Sequence, residues 1–418
     1  MSLVVLTSLM STTSADTAAE FVSVKLSPDT DMPVVVHASK GSAVLVWLRS
    51  GYGRHENEAR IAAELAEYGV EVWQPALLEA HFLPALETNF DQIAADDVAQ
   101  LIEHVHRQTS KRVYLLAAGR AGLLALRGAT AWQSEHPRDR TLAGIVLLHP
   151  NLYFGTPEPG KEAIYHPTLR TTRLPIYIIQ PTLSPGRWRV AQTAEKLVSG
   201  GSKVYVRTLP EVRDRYYLRA DATPREQAEL VHFASHLRKA IAQLAKTTVS
   251  APENATQTRP AQSKPSLGRR GLNSYTADPT PPALKLAALG GGTHDLNQYR
   301  GRVVLVNFWA TWCPPCVREL PSMQRLKERL AGKPFAILTV NISEDEETIR
   351  AFLREQVKID VPILLDRDGA AMKRWKVFVF PTSFVLGPAG SILYGAYGEL
   401  SWDSEPIVRT LEGLLPRG

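Results

Sequence analysis

Short apolar runs rich in β-branched residues recur through the first 246 residues, at Ala43–Leu48, Val70–Trp73, Arg112–Leu116, Ile145–Leu148, Ile176–Ile179 and Val204–Arg207. Between several of them, apolar positions return at three- and four-residue spacing, in Ala59–Tyr68, Asp91–Thr109 and Gln227–Leu244. That is the period of a helix with one buried face. Strands that are apolar throughout, alternating with such helices, predict a parallel sheet covered on both faces.

A second alternation follows nearer the carboxy terminus. Val303–Trp309 reads as a buried strand, then come a helix after Cys316, a strand at Phe335–Val340, a helix at Glu346–Gln356 and a strand at Pro362–Leu365. Thr382–Leu386 and Ser391–Tyr394 flank Gly387-Pro388-Ala389-Gly390 and read as a terminal hairpin. This half predicts a small mixed sheet with helices around it. The stretch 247–280 is rich in Thr, Ser, Pro, Gln and Ala and has too few large apolar residues to fold, so it reads as a linker. Arg269-Arg270 within it reads as polar loop.

A chain of 418 residues exceeds what one core usually supports, in agreement with two domains. The formal net charge is +6, but the 48 basic and 42 acidic side chains are interspersed. No basic tract marks a nucleic-acid surface, and no nucleic-acid partner is expected. Leu3–Met10 is an apolar run followed by small residues to Ala15, so residues 1–20 resemble an incomplete secretory signal that lacks the usual basic start. No other stretch approaches the roughly 20 apolar residues of a membrane-spanning helix.

Only 2 cysteines are present, and they stand two residues apart in Trp312-Cys313-Pro314-Pro315-Cys316. The motif follows the strand VVLVNFW and precedes a helical stretch, which puts Cys313 where strand turns into helix. Unpaired N–H groups and the positive end of the helix dipole stabilise a thiolate there, the attacking species in disulfide exchange. Cys316, one turn later, would resolve the mixed disulfide. Pro314 suits the first helical position, where its missing N–H has no partner, and Pro321 is expected to kink the helix. A zinc site would need two further ligands, and His294 is the only histidine after the linker. A purely structural disulfide is the other alternative, although so short a loop gives little entropic constraint.

With these residues in place, the segment 281–418 resembles the TlpA/ResA group of exported thioredoxin-like reductases. Leu296–Trp309 is similar to the group's lead-in strand, Ala310-Thr311-Trp312 precedes the motif, and Arg318-Glu319-Leu320-Pro321 follows it. The resemblance implies a cis-proline loop at Phe380-Pro381-Thr382, with Pro381 against the cysteines and the backbone beside it offered to an incoming peptide. Trp312, Pro314, Pro315, Phe380 and Thr382 would then line the client site. Where cytoplasmic thioredoxins carry a buried Asp, this chain has Asn307, and Glu344 matches the acid of the exported group. That match makes Glu344 a candidate proton relay for Cys316. The alternative is a helix-capping acid between Ser343 and Glu346.

Residues 21–246 resemble an alpha/beta-hydrolase, with an opening pair of short strands and a glycine turn at Arg49-Ser50-Gly51-Tyr52-Gly53. The expected fold class is therefore α/β throughout, a doubly wound hydrolase-like sheet followed by a thioredoxin-like domain. At the catalytic positions the resemblance fails. The elbow that should read Gly-x-Ser-x-Gly is Ala118-Gly119-Arg120-Ala121-Gly122, and a guanidinium cannot attack a carbonyl. The segment expected to supply an acid is Gln180–Ser184, and Leu209–Asp214 holds no histidine. A non-catalytic binding or scaffolding domain is expected, in which either Arg49 and Arg120 converge on a small anion or Arg120 pairs with Asp96 or Asp97 as structural filler.

Taken together the sequence implies an exported, periplasmic or otherwise extracytoplasmic thiol-disulfide oxidoreductase without cofactor or metal, with a membrane anchor upstream left open. By resemblance, its clients are disulfide-containing proteins, among them apocytochromes c or copper-site proteins. Its electrons come from a membrane thiol-electron donor of the CcdA/DsbD type. Two other classes stay open: a binding or chaperone protein whose redox pair is regulatory, and a hydrolase with a relocated active site.

Overall fold

The computed structural model describes residues 19–27, 30–49, 51, 55–247 and 271–416. The signal-like stretch up to residue 18, most of the glycine turn after Arg49 and linker residues 248–270, with Arg269-Arg270, lie outside the described residues. The chain divides into two compact units, one of Met1–Leu147, Leu174–Tyr177 and Tyr216–Ala251, the other of Leu148–Arg173, Ile178–Arg215 and Pro252–Gly418.

The first unit is built on β1 (Glu20–Ser27), β2 (Thr30–His37), β3 (Ala43–Leu48), β4 (Val70–Pro75), β5 (Arg112–Ala118) and β6 (Leu142–Leu148), in the spatial order β1-β2-β4-β3-β5-β6. Its helices are α1 (Glu56–Glu67), α2 (Leu77–Ala80), α3 (Ala95–Thr109), α4 (Ala121–Glu135), α6 (Pro224–Val231) and α7 (Phe233–Ala245). Strand β3 runs parallel to both β4 and β5, whereas β1–β2 and β2–β4 are antiparallel. The sheet is therefore mixed. Two strands joined within two residues cannot run parallel, because a parallel pair needs a crossover of about a dozen residues. Val44–Leu48 are fully buried, as the unbroken apolar run requires. The periodic stretch Gln227–Leu244 is two helices instead of one: Thr223 and Glu226 form a capping box that starts α6, and the chain turns again at His232.

In the second unit β7 (Ile176–Leu183), whose first residues belong to the first unit, continues beside β8 (Val204–Arg213), with α5 (Val190–Ser199) between them in sequence. A separate six-stranded sheet uses β9 (Asn273–Ser274), β12 (Val303–Trp309), β13 (Phe335–Ile342), β14 (Ile363–Asp366), β15 (Thr382–Leu386) and β16 (Ile392–Tyr397), ordered β14-β13-β12-β15-β16-β9. β12, β13 and β14 are parallel, and β15 and β16 form an antiparallel hairpin against β12. A small ribbon of β10 (Lys285–Ala287) and β11 (Thr293–Asp295) precedes them. Helices α8 (Pro314–Arg329), α9 (Glu346–Glu355), α10 (Ala370–Arg374) and α11 (Glu405–Gly413) complete the unit. Helix α8 runs unbroken through Pro321.

Residues 273–279, which composition places in the linker, instead edge this sheet. Asn273 and Ser274 pair with β16, Tyr275 donates its N–H to the Leu393 carbonyl at 2.8 Å, and Ile392 donates to Pro279 at 2.8 Å. Backbone pairing holds a segment that has too few apolar side chains to hold itself. The core of the sheet is aromatic: Trp375 packs 4.9 Å from Phe384 and 5.6 Å from Phe308, centroid to centroid. Among the described residues no helix is long and apolar enough to cross a membrane.

Asp366 closes β14 and is 1% exposed, with its carboxylate accepting the N–H groups of Ala371 at 3.0 Å and Met372 at 2.8 Å. These bonds satisfy the otherwise unpaired start of α10. Asp366→Ala is expected to lower the unfolding free energy by roughly 1–3 kcal/mol, read from urea unfolding followed by tryptophan fluorescence. An unchanged midpoint would show that the bonds do not hold this corner.

Candidate active site

Every residue of β12 is buried, and the strand is hydrogen-bonded to β13 on one side and β15 on the other, so its carboxyl end is fixed. The chain then turns through Ala310-Thr311-Trp312, with the Cys313 N–H donating to the Ala310 carbonyl at 3.2 Å. Cys313 is the N-cap of α8, in extended conformation, and Pro314 and Pro315 occupy the first helical positions. Cys313 and Cys316 form a disulfide with Cα atoms 5.3 Å apart. The Cys316 N–H points at Sγ of Cys313 over 3.4 Å. Cys313 is 5% exposed and Cys316 is fully buried, so the two sulfurs differ in access. Once the bond is reduced, that N–H and the positive end of α8 favour the Cys313 thiolate.

The peptide bond between Phe380 and Pro381 is cis, and the Thr382 hydroxyl donates to the Val379 carbonyl at 2.7 Å. Thr382 opens β15 opposite Phe308, near the carboxyl end of β12. Phe380 packs on Trp312 with ring centroids 5.8 Å apart, which joins the proline loop to the cysteine turn.

Glu344 does not stand free. Its carboxylate accepts the Thr311 N–H at 2.8 Å, the Thr311 hydroxyl, and the Asn341 amide at 2.7 Å. Burial pushes its pKa up, against those donors, which favour the charged form. The side chain thus ties the turn two residues before Cys313 to the end of β13. The residue that caps α9 is Asp345, which accepts the Thr348 N–H at 2.7 Å, and not Ser343.

A second carboxyl has a stronger perturbation. Glu319 lies one turn beyond Cys316 on α8 and is 2% exposed. Asn307 donates to it at 2.7 Å, and the Leu400 N–H and Trp402 indole N–H donate at 3.3 Å each. Asn307 also donates to the Ser383 hydroxyl at 2.9 Å, so the network reaches the residue two after Pro381. Burial pushes the Glu319 carboxyl up to about 8, while its three donors pull the other way. The sequence signal for this residue is its i+3 spacing from Cys316, which places both on one helix face.

Elsewhere, Arg120 sits between β5 and α4, is 4% exposed, and pairs with Asp91 at 2.7 Å. Asp91 takes the place of the expected Asp96 or Asp97; Asp97 pairs with His81 at 2.9 Å. Arg49 faces Glu58, a fully buried acid that burial pushes up to about 7 and the Arg49 charge lowers. Ser184 donates to Asp214 at 2.9 Å, with no histidine in the pair. His149, at the end of β6, is held neutral, lowered to about 3 by burial and the Arg215 charge. His236 pairs with Glu229 at 3.2 Å between α6 and α7. Among the described residues no group of histidines, cysteines and acids has the arrangement of a metal site.

The family model described as Redoxin matches residues 276–412. The thiol-disulfide oxidoreductase ResA of Geobacillus kaustophilus is 34% identical over 137 residues, which are 33% of this chain and 77% of the relative. The chain belongs to this Redoxin family. The thioredoxin-like protein YneN of Bacillus subtilis is 36% identical over 114 residues, 27% of this chain and 65% of the relative. A crystal structure of a putative thiol:disulfide interchange protein DsbE from Chlorobium tepidum shares 27% identity, covering 33% of this chain and 97% of that one, with a TM-score of 0.31. This Redoxin chain is a thiol-disulfide redox enzyme, and its CxxC pair lies within the matched stretch.

The Glu319 carboxyl makes stability pH-dependent. Its ordinary pKa is 4.5 and the folded value is about 8, so between these the native protein binds more protons than the unfolded chain. The contribution of Glu319 to stability is therefore fully present below about pH 4.5 and is lost as pH rises through about 8. Unfolding titrations across that interval are expected to show this fall, with a share from Glu319 of at most about 1.4 kcal/mol per pH unit, and Glu319→Gln is expected to lessen the slope while leaving the part due to Glu58, which burial pushes up to about 7. The same slope in both proteins would assign it to another group.

Proposed function

We propose that the protein is an exported oxidoreductase that reduces disulfides in other exported proteins, with Cys313 attacking and Cys316 resolving. The observation that carries this reading is the Cys313–Cys316 disulfide at the start of α8, with the first sulfur at the N-cap and the second buried behind it. In the reduced enzyme the Cys313 thiolate attacks one sulfur of a client disulfide. A mixed disulfide forms, and the other client sulfur leaves as a thiolate that takes up a proton. Cys316 then gives up its proton and attacks Cys313 Sγ, which releases the second client thiolate and restores the enzyme disulfide. Two electrons pass from enzyme to client. They are returned by an external dithiol, for which we propose a membrane thiol-electron donor of the CcdA/DsbD type.

The two carboxyls share the supporting work. Glu319, one turn past Cys316 on the same helix and with its carboxyl pushed up to about 8, is proposed beside Glu344 as a group that exchanges the proton of the resolving thiol. Glu344, saturated by Thr311 and Asn341, also positions the turn that carries Cys313. Trp312, Pro314, Pro315, Phe380, Pro381 and Thr382 form the client-side surface around the cysteines. An extracytoplasmic location, a client class that includes apocytochromes c or copper-site proteins, and an amino-terminal domain at 21–246 all belong to this proposal, with the linker ending before the edge strand at Asn273–Ser274.

For the amino-terminal part we propose a hydrolase-like fold without hydrolase chemistry, used for binding or scaffolding. Supporting this are Arg120 at the strand-to-helix elbow, neutralised by Asp91, and Ser184 hydrogen-bonded to an aspartate instead of a histidine.

With dithiothreitol as reductant, the full chain is expected to catalyse insulin reduction, and Cys313→Ser to fall to the uncatalysed rate. Cys316→Ser is expected to accumulate a mixed disulfide with insulin on non-reducing gels. Catalysis retained by Cys313→Ser would overturn the assignment of the attacking sulfur.

A further inference from the structure

Beyond the stretch matched by the Redoxin family, the second compact unit contains residues 178–215, and one turn of this segment lies against the cis-proline loop. Trp188 ends the short helical turn Pro185–Trp188, and its ring is 6.3 Å from that of Phe380, centroid to centroid, at 63°. Phe380 in turn lies 5.8 Å from Trp312. Phe380 joins the three rings in a row, and two of them adjoin the active groups: Trp312 precedes Cys313, and Phe380 precedes Pro381. Phe380 is 9% exposed, while Trp188 and Trp312 at the ends of the row are only half-buried. Aromatic surface therefore remains open at both ends of the row.

Trp188 is held in place closely. A Cβ on Gly369 would fall 2.5 Å from its indole nitrogen, so the ring uses space that only glycine leaves. Cations flank the row. The Arg187 guanidinium lies 4.8 Å over Trp188, and that of Arg189 lies 4.2 Å over Phe378. Arg187 is exposed, and beyond a contact from its guanidinium to the Thr182 carbonyl at 3.4 Å it faces solvent. Half-exposed tryptophan beside an exposed arginine is the composition of an interaction surface more than of a core, where such rings are fully enclosed.

We infer that Trp188 is a specificity-determining residue, the outer wall of the client site, and that it selects folded-protein disulfides bordered by an apolar side chain and an acidic one. The apolar group lies on the Trp188–Phe380 surface, and the acid faces Arg187. Rigid rings bind at low entropic cost, so they contribute to a protein client that spans the row. A small disulfide reaches Cys313 without touching it. This inference rests on the reductase reading above and extends it to the client.

The test compares the full chain with Trp188→Ala and Trp188→Phe on two disulfides, insulin and 5,5′-dithiobis(2-nitrobenzoic acid). The readout is the selectivity ratio, kcat/KM for insulin divided by kcat/KM for the small disulfide. Trp188→Ala is expected to lower the ratio about tenfold, chiefly through KM for insulin, the size of one lost hot-spot contact. Trp188→Phe is expected to restore it to within about twofold, since an aromatic surface remains. An unchanged ratio overturns the inference. So does a rise, which would make Trp188 a cover that keeps proteins from Cys313. Failure of the reductase reading is separately visible, as absence of Cys313-dependent turnover of either disulfide by the unsubstituted chain.

Discussion

Strand β12 is bonded on both sides, and that double pairing fixes where its last residue stops. The turn after Trp309 can then reach the start of α8 in only a few residues, and Cys313 is left at the one point where a sulfur meets unpaired helix N–H groups. The other parts of the site are referred to the same strand. Thr382, next to the cis-proline, pairs with Phe308, and Asn307 sends one amide group both to Glu319 under α8 and to Ser383 in β15. A sulfur at a helix N-terminus on a floppier support would have the dipole but not the fixed partner loop. The rigidity of the central strand is what makes the two cysteines and the proline loop one site.

The two carboxyls near the cysteines differ in how their burial is compensated. Glu344 receives three donors at one end of β13, and the price of burying it is offset by those bonds, so it fixes backbone. Glu319 has bonds too, but two of its three are long, at 3.3 Å, and it is nearly sealed from water. Burial therefore wins, and the proton affinity moves toward neutrality. Asn307 matters here through what it lacks. It donates to Glu319 without competing for a proton, where a second acid would have coupled the two titrations.

Local patterns made much of this visible in advance. Trp312-Cys313-Pro314-Pro315-Cys316 after an apolar strand, Phe380-Pro381-Thr382 before another, and the hairpin at Gly387–Gly390 all depend on a few adjacent residues. Strand centres were legible for the same reason, since buried strands have no polar face to hide. What escaped depends on distance along the chain. Glu319 is buried by partners 12, 81 and 83 residues away, and nothing in its own helical window shows that. Asp91 pairs with Arg120 from a short turn that the apolar period had absorbed into a longer helix. The edge strand at Asn273–Ser274 is paired with β16 through its backbone, to which composition is blind.

The chemistry at Cys313 is generic: any accessible disulfide with a suitable leaving sulfur will react with a helix-capping thiolate. Selection among clients must therefore come from differences in binding around the sulfur. Within the Redoxin-matched stretch Phe308, Trp375 and Phe384 are used in the core, and Trp312 and Phe380 are the rings beside the cysteines. The segment around Trp188 supplies a further ring and two guanidiniums at the cis-proline loop without altering the strand that places the sulfur. Reactivity and choice are thus set by separate parts of the chain, so that one can vary while the other is held.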